Sequence, residues 1–257
     1  MLRFAYFYLV LIIFGSLGAQ EKQEQTAEEI RHERMLKLAQ SYELTGDSPA
    51  KIALRERPIF SWANPEVKSI GGELYLWTAG GQPVATIGIW TYDDVTDSFE
   101  LQSLCTHSID AQSKQAVPWR PRVGGLTFVK LEGVPTPDNA PARRQTQMRN
   151  VLRQKFTGEI TKNDSGQIEK LRLLSQPIYR YDPMPANLID GAIFAFAYGT
   201  DPEIFVLLEA RKTDSGPQWY YAFAPATSRR ARGYLDGQKL WDNDDQSANG
   251  TFLFVRR

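Results

Sequence analysis

The single cysteine of the chain, Cys105, lies two positions before His107, one of only two histidines. If a β-strand continues through both positions, they share one face and the imidazole lies near the thiol. A neighbouring imidazole can generate a nucleophilic thiolate, with Asp110 as a candidate orienting acid. The alternative is a small buried cysteine at a strand end, followed by a histidine in a loop. Cys105 and His107 are therefore weak catalytic candidates.

Carboxylates are the second source of chemistry, because a hydrolase can work with two of them brought together by the fold. Glu100 and Glu209 are candidates for such a pair. Glu209 and Arg211 share the strand face of Phe205 and Leu207, so they either line a pocket or form a surface ion pair. Since the chain has 30 acidic residues, the sequence does not identify the pair.

Aromatic residues recur beside arginines, which is the composition of a surface for sugars or anionic groups. Sugar rings pack on aromatic faces, and the guanidinium group forks to carboxylates and phosphates. The alternative is that the aromatic rings fill a β-rich core while the arginines cover its rim. The predicted binding residues are Trp119, Arg120, Arg122, Tyr179, Tyr181, Trp219 and Arg211.

Local motifs add no further chemistry. Ser48 to Lys51 matches S-x-x-K, but the partner motifs S-D-N and K-T-G are absent. The chain has no G-x-S-x-G elbow and no glycine-rich phosphate loop. The acidic stretch from Asp242 has Ser247 where an EF-hand needs glycine, which leaves a solvated turn or a looser calcium loop. We expect no cofactor and no metal.

Two helices are predicted from capping residues and three- and four-residue apolar spacing. The first covers residues 27–45, where Thr26 and Glu29 have the spacing of a capping box. The second covers residues 140–156, with Asn139 as its N-cap and a basic outer face. That basic face could contact an anionic surface or simply be solvated.

Most of the remaining chain predicts antiparallel strands. Residues 73–106 and 191–224 each read as strand, short turn, strand, polar turn, strand, so the two meanders are either related or independent. Short turns favour antiparallel pairing, because parallel strands need long crossovers. The prediction is an α+β fold with a twisted, mainly antiparallel sheet of about ten strands, flat or curled into a half-barrel. Further strands are predicted at 126–131, 168–175, 177–182, 233–241 and 251–256.

The first nineteen residues predict a secretory signal peptide. Arg3 precedes an apolar run, and small residues follow before a polar stretch. The apolar stretch of about 16 residues is shorter than the roughly 20 that span a bilayer. We therefore expect an exported protein, in the periplasm, at the cell surface or secreted, with residues 20–257 forming one β-rich domain. The alternative is an uncleaved membrane anchor.

Several segments resemble a family of uncharacterised exported bacterial proteins. That family has no assigned activity, ligand or catalytic residue. The resemblance therefore implies export and one domain, and it leaves the function open. The segments are 145–156, 171–182, 190–211, 219–224 and 232–241.

Composition narrows the classes of function. The formal net charge is zero and 12% of the residues are aromatic, which excludes a wholly disordered chain and does not favour nucleic-acid binding. The net charge of zero results from two segments of opposite charge, since residues 20–118 carry a net charge of −6 and residues 119–257 a net charge of +5.

The leading interpretation is an exported, non-catalytic binding or structural protein. Its partner would be a polysaccharide, another anionic polymer or an exported protein. The alternatives are an exported hydrolase that uses a carboxylate pair, and a membrane-tethered structural protein.

Overall fold

The computed structural model describes residues 25–47, 50–181, 187–244 and 250–256. The predicted signal peptide, Ser48 and part of the acidic stretch after Asp244 lie outside the described residues. The α+β fold with mainly antiparallel sheets is confirmed, although the described residues form eighteen strands rather than about ten. None of the described helices has the length and apolar character needed to cross a membrane.

The front half of the chain contains one helix and eight strands. In chain order they are α1 (Ala27–Gln40), β1 (Tyr42–Gly46), β2 (Ile52–Leu54), β3 (Phe60–Asn64), β4 (Ser69–Ala79), β5 (Gln82–Thr91), β6 (Asp97–Ser103), β7 (Ile109–Ser113) and β8 (Val129–Lys130).

The described residues of the back half form one helix and ten strands. They are α2 (Pro141–Lys155), β9 (Phe156–Thr161), β10 (Ile168–Lys170), β11 (Arg172–Leu173), β12 (Tyr179–Tyr181), β13 (Leu188–Tyr198), β14 (Asp201–Thr213), β15 (Gly216–Pro225), β16 (Arg230–Leu235), β17 (Gln238–Asp242) and β18 (Phe252–Val255).

Both helices begin near their predicted positions, but the end of α1 and the N-cap of α2 differ from the prediction. The capping box of Thr26 and Glu29 is present. The prediction of helix over 27–45 is too long, because Tyr42 and Leu44 are buried on one side of β1, which pairs with β7. The N-cap of α2 is Ala140, whose side chain cannot accept a hydrogen bond, rather than Asn139.

The prediction of one strand over residues 233–241 is also wrong, since these residues form the hairpin of β16 and β17. Asp236 and Gly237 adopt positive φ angles of 49° and 79° and form the turn between β16 and β17. Two adjacent residues with positive φ are typical of the tight turns that join antiparallel strands. The strand predicted at 126–131 shrinks to β8 alone.

Two large sheets form the centre of the molecule. The front sheet has the order β18-β6-β5-β4-β2, and the back sheet has the order β11-β13-β14-β15-β8; β3 and β12 add to β4 and β13. Their inner faces meet in an apolar core that includes Leu74, Leu76, Ile193 and Leu207. Alternation along each strand leaves a second apolar face outside, because neighbouring side chains point to opposite sides. Helix α1 covers that face on the front sheet, and α2 covers it on the back sheet together with β9 and β16.

The two halves repeat the same pairings. In the front half, β2 pairs with the end of β4 and β3 with its beginning; β11 and β12 pair with β13 in the same way. The strand after each helix pairs with the strand after each meander, as β1 with β7 and β9 with β16. Both first hairpins shift register at the equivalent place, after Trp77 and after Phe196. These shared features favour related meanders over independent ones.

Each half also contributes an edge strand to the sheet of the other half. Strand β8, which follows the front meander, pairs with β15 of the back sheet. Strand β18, which follows the back meander, pairs with β6 of the front sheet. The exchange joins the two halves through backbone hydrogen bonds as well as through the apolar core.

Candidate functional site

A cavity of about 220 Å³ opens between the two sheets, where the turn between β13 and β14 meets β5 and β6. We call it the acid cleft, after the carboxyl groups of Glu100, Asp201 and Glu203 in its lining. Strand alternation places them there: Glu203 shares the inner face of Phe205, and Glu100 shares the inner face of Gln102. The segment that follows β15 supplies Arg229.

Glu203 is 2% exposed and is held by a charged partner. The Arg229 guanidinium donates to its Oε1 at 2.6 Å. Ala226 donates its backbone N–H to the Glu203 carbonyl oxygen at 2.9 Å, which fixes the loop that carries Arg229. In the same loop Ser228, which precedes Arg229, donates its backbone N–H to Glu100 Oε1 at 2.9 Å. One loop of the back half therefore positions carboxyl groups from both sheets.

Burial makes all three carboxyl groups weaker acids. Loss of solvation and the nearby charge of Glu203 together raise the pKa of Glu100 from 4.5 to about 8. Burial raises the pKa of Glu203 to about 7, against the opposing effect of Arg229. Burial and the charges of Glu203 and Glu100 also raise the pKa of Asp201. The cleft thus holds carboxyl groups that titrate near neutral pH.

Aromatic rings form one wall and the mouth of the acid cleft. Trp90 and Phe254 stack with ring centroids 6.0 Å apart and an interplanar angle of 9°. Trp62 lines the cleft from β3. Its indole Nε1 and the Oε1 of Gln102 are buried and have no hydrogen-bond partner among the described residues. Buried polar atoms normally have a partner, so two side chains in the lining of the acid cleft keep unused hydrogen-bonding capacity.

Metal ligands do not gather in the described part of the chain. No group of three or more His, Cys, Asp or Glu side chains there has an arrangement that could hold a metal ion. The chemistry available in the acid cleft is therefore that of carboxyl groups, one guanidinium group and aromatic rings.

Of the predicted catalytic residues, Glu100 lies in the acid cleft and the others lie elsewhere. Cys105, His107, Glu209 and the predicted binding residue Arg211 line a second cavity between the sheets. The Cys105 thiol donates to the carbonyl oxygen of His107 rather than facing its imidazole, because β6 ends at Ser103. Burial raises the pKa of Cys105, which is the opposite of what a thiolate nucleophile needs.

The predicted aromatic binding residues do not form a common surface. Trp119 and Trp219 are 3% and 1% exposed, and their indole N–H groups donate to the carbonyl oxygens of Gly250 and Pro135. Tyr181 is also buried and donates to Glu209. These three rings fill the core, since a β-rich interior needs large apolar side chains.

The remaining predicted binding residues are more accessible. Tyr179 stacks on Tyr181 and donates to the carbonyl oxygen of Gly81 at 2.8 Å. Arg120 and Arg122 are exposed beside a shallow depression, and Arg120 contacts Asp110 at 3.3 Å. None of these three residues reaches the acid cleft.

Several residues of the acid cleft escaped the sequence analysis. One signal was available for Glu203, because an acid on the same strand face as Phe205 and Leu207 points into the core. No local pattern marks Trp62, Arg229 or Phe254, since their positions depend on pairing between distant segments.

Comparisons with known proteins give no relative. No protein-family model matches the chain, and neither a curated protein nor a solved structure matches it significantly. The resemblance to exported bacterial proteins therefore stays a prediction.

Proposed function

We propose that the protein binds a carbohydrate in the acid cleft. The observation that carries this proposal is the pair of unpartnered buried polar atoms, Trp62 Nε1 and Gln102 Oε1, beside the stacked rings of Trp90 and Phe254. A sugar ring offers both complements, since its C–H faces pack on aromatic rings and its hydroxyl groups donate and accept hydrogen bonds.

The charge of the cleft narrows the class of carbohydrate. Three carboxyl groups lie with Arg229 and Arg256 in the lining, and the raised pKa of Glu100 keeps that carboxyl group protonated at neutral pH, so that it both donates and accepts hydrogen bonds. Sugar hydroxyl groups complement such a carboxyl group, and a protonated amine complements the carboxylates that form as the pH rises. The proposed ligand is therefore a neutral or amine-bearing polysaccharide rather than the broader class of anionic polymers.

Calorimetric titration tests the proposal with three soluble probes: cello-oligosaccharides, glucosamine oligomers and oligogalacturonate. We expect the first two to bind and, above about pH 8 where the carboxyl groups ionise, the anionic probe to bind least. Trp90→Ala should weaken binding about tenfold or more, because an aromatic platform of this kind contributes on the order of 2 kcal/mol. Tyr234→Ala, on a distant sheet, should leave the affinity unchanged. Absence of heat with all three probes would refute carbohydrate binding.

A second candidate function is hydrolysis of the bound sugar chain. Glu100, with a pKa of about 8, keeps its proton at neutral pH, and Glu203 lies close enough to influence that pKa. Glycosidases use such a division of roles, in which one carboxylic acid protonates the leaving oxygen and the other carboxylate attacks or activates water. Glu100 would be the acid, and Glu203, held by Arg229, would be the carboxylate.

Release of reducing ends distinguishes hydrolysis from binding alone. If the cleft is catalytic, wild-type protein produces new reducing ends from a probe that it binds, and Glu100→Gln abolishes them while the calorimetric affinity stays within about threefold. A bound probe that stays intact with wild-type protein over the pH range 5 to 8 would leave binding as the function.

The proposed ligand and the predicted signal peptide point to the same place of action. We propose that the protein meets its carbohydrate outside the cytoplasm, on the basis of the charged, apolar and small-residue order of residues 1–19. Mass measurement of the mature N-terminus tests this, since an intact Met1 in a membrane fraction would favour the tethered alternative.

A further inference from the structure

A second cavity of about 510 Å³ lies at the opposite end of the space between the two sheets. We call it the Arg211 cavity. Its lining is mainly apolar, with a polar group at one end. The residues that matter here are Val84, Leu104, His107, Phe128, Leu207 and Arg211.

The Arg211 cavity is the structural counterpart of the acid cleft. Val84 follows the first hairpin turn of the front half as Glu203 follows that of the back half. Leu104 donates its backbone N–H to the Val84 carbonyl oxygen at 2.8 Å, which matches the hydrogen bond from Ala226 to Glu203 at 2.9 Å. The loop that follows the third meander strand therefore lines one cavity in each half, as residues 104–107 and as residues 226–229.

The exchanged edge strands, β8 and β18, also occupy equivalent positions beside the two cavities. Val129 of β8 pairs with Tyr221, as Val255 of β18 pairs with Phe99. The residue before each valine is a phenylalanine in the cavity lining, Phe128 in one case and Phe254 in the other. Each edge strand thus brings one aromatic ring to a cavity that is lined by residues of both halves.

Equivalent positions carry different chemistry in the two cavities. Val84 stands where the acid cleft has Glu203, and His107 stands where it has Arg229. Glu209 and Arg211 replace Trp90 and Tyr92. Val84 thus replaces the carboxyl group of Glu203 by an apolar side chain, Gln82 stands at the position of Asp201, and the charged pair of the Arg211 cavity is Glu209 with Arg211.

At the polar end of the Arg211 cavity, hydrogen bonds connect the side chains of Arg211, Glu209 and Tyr181. Arg211 donates from Nε to Glu209 Oε2 at 2.6 Å, and its guanidinium lies 4.2 Å from the Phe128 ring centroid. Tyr181 donates to the other oxygen of Glu209 at 2.8 Å. The Nε2 of His107 is buried without a partner among the described residues. Arg211 has more N–H groups than Glu209 uses, so this end can receive a further acceptor.

We propose that the Arg211 cavity is a second ligand site, which binds a single-chain amphiphile with a carboxyl head group. The hydrocarbon chain would pack against Val84, Leu104 and Leu207, and the head group would accept hydrogen bonds from Arg211 and His107. The volume lies within the roughly 300 to 1,000 Å³ of typical small-molecule sites, which are apolar with a few orienting polar groups. This site does not depend on carbohydrate binding in the acid cleft.

Displacement of the fluorescent fatty acid cis-parinaric acid tests the proposal on the full-length protein. Palmitate should displace the probe, and hexadecanol should displace it about tenfold less well because it lacks the carboxyl head. Arg211→Gln should reduce palmitate affinity about tenfold and bring it close to that of hexadecanol. Leu207→Trp should abolish probe binding by filling the cavity. Trp90→Ala, in the acid cleft, should leave the displacement of the probe by palmitate unchanged.

Three outcomes would overturn the second site. They are failure of wild-type protein to bind the probe, equal affinity for palmitate and hexadecanol together with no effect of Arg211→Gln, and unchanged binding by a folded Leu207→Trp variant. If Leu207→Trp does not fold by circular dichroism, the partly exposed Arg211→Gln change decides alone. Loss of the second site would leave the carbohydrate titration unaffected, so the two proposals fail separately.

Discussion

At the acid cleft, the interior environment and not residue type decides how the carboxyl groups titrate. Glu100 and Glu203 lose solvent to the facing sheets, while Ser228 and Arg229 favour the charged form of Glu100, and Arg229 and Thr227 that of Glu203. The compensation is incomplete, because the desolvation of each carboxylate exceeds what these partners return. The raised pKa of each group is therefore a property of the fold.

The first prediction concerns pH and stability. A raised pKa means that the folded state holds the proton of Glu100 more tightly, so this contribution is complete below pH 4.5 and declines as the pH rises towards 8. Wild-type Tm should fall over that window. Glu100→Gln should make this fall smaller by several °C, which corresponds to a difference in the free energy of unfolding on the order of 1 to 2 kcal/mol. Calorimetric melts at pH 5 and pH 8 measure it.

The exposed substitution Glu43→Gln is the matched control, since it removes a strand carboxyl group that faces solvent. It should leave the pH slope of Tm as in wild type. An equal slope in wild type and Glu100→Gln would show that Glu100 is solvated in the folded protein.

A second residue-scale prediction concerns Asp190, which is 3% exposed and anchors α2 to the back sheet. It accepts from Arg144 at 2.8 Å and from Arg180 at 2.9 Å. Asp190→Asn would leave the buried Arg144 uncompensated, and we expect a loss of about 3–5 kcal/mol in the free energy of unfolding. Urea denaturation measures this loss.

The control for Asp190 is the exposed pair of Arg230 and Asp244, with contact at 2.7 Å. Asp244→Asn should cost about 0–1 kcal/mol, because solvent screens a surface ion pair. Similar losses for the two substitutions would contradict an anchoring role for Asp190.

At the scale of elements, each half packs an aromatic side chain of a short edge strand over a glycine of the long strand with which it pairs. Trp62 of β3 lies over Gly72 of β4, and Tyr181 of β12 lies over Gly191 of β13. Each ring stacks on the aromatic residue two positions earlier, with centroids 6.3 Å and 6.1 Å apart. The glycines are required because a side chain there would overlap the ring.

The third prediction follows from that contact. Gly191→Ala would place a methyl group within the Tyr181 ring and disturb its hydrogen bond to Glu209, so we expect a loss of about 1–3 kcal/mol in stability. Gly88→Ala is the control, since its nearest neighbours would lie at 3.8 Å, an ordinary contact distance. The urea midpoints of the two variants should differ clearly; equal midpoints would show that the ring moves at little cost.

Elements were predictable where the signal is local. The meander strands are marked by alternation and by turn glycines, and α1 by its capping box. Strands β1 and β9 were missed because each continues directly from a helix without a breaking residue. Their strand conformation depends on partners far along the chain, β7 and β16, which local propensity does not see.

At the scale of the whole molecule, strand exchange joins the two halves of the chain through backbone pairing. Residues before about 136 contain β8, which belongs to the back sheet, and residues after it contain β18, which belongs to the front sheet. Neither half has a complete sheet by itself, and the inner apolar core exists only when the two sheets meet.

The fourth prediction tests this exchange. Cleavage at a protease site inserted between Thr136 and Pro137 should leave the two fragments associated, so that they elute together in size-exclusion chromatography without denaturant. The fragments should separate only in urea. Removal of residues 251–257 from the cleaved protein should weaken the association, because the front sheet loses its exchanged strand. Spontaneous separation of the cleaved fragments would contradict the exchange.

The sequence alone determined the class of fold and the approximate positions of the meander strands and of their turns. Alternation, turn glycines and caps act over a few residues, so they can be read without knowing the partners. The tertiary structure decided which side chains meet. Glu100 and Glu203 share a cleft because two sheets from different halves face each other, and that pairing rests on long-range burial that no local spacing records. For the same reason Trp119 and Trp219 became core, while Trp62 and Trp90 became the cleft.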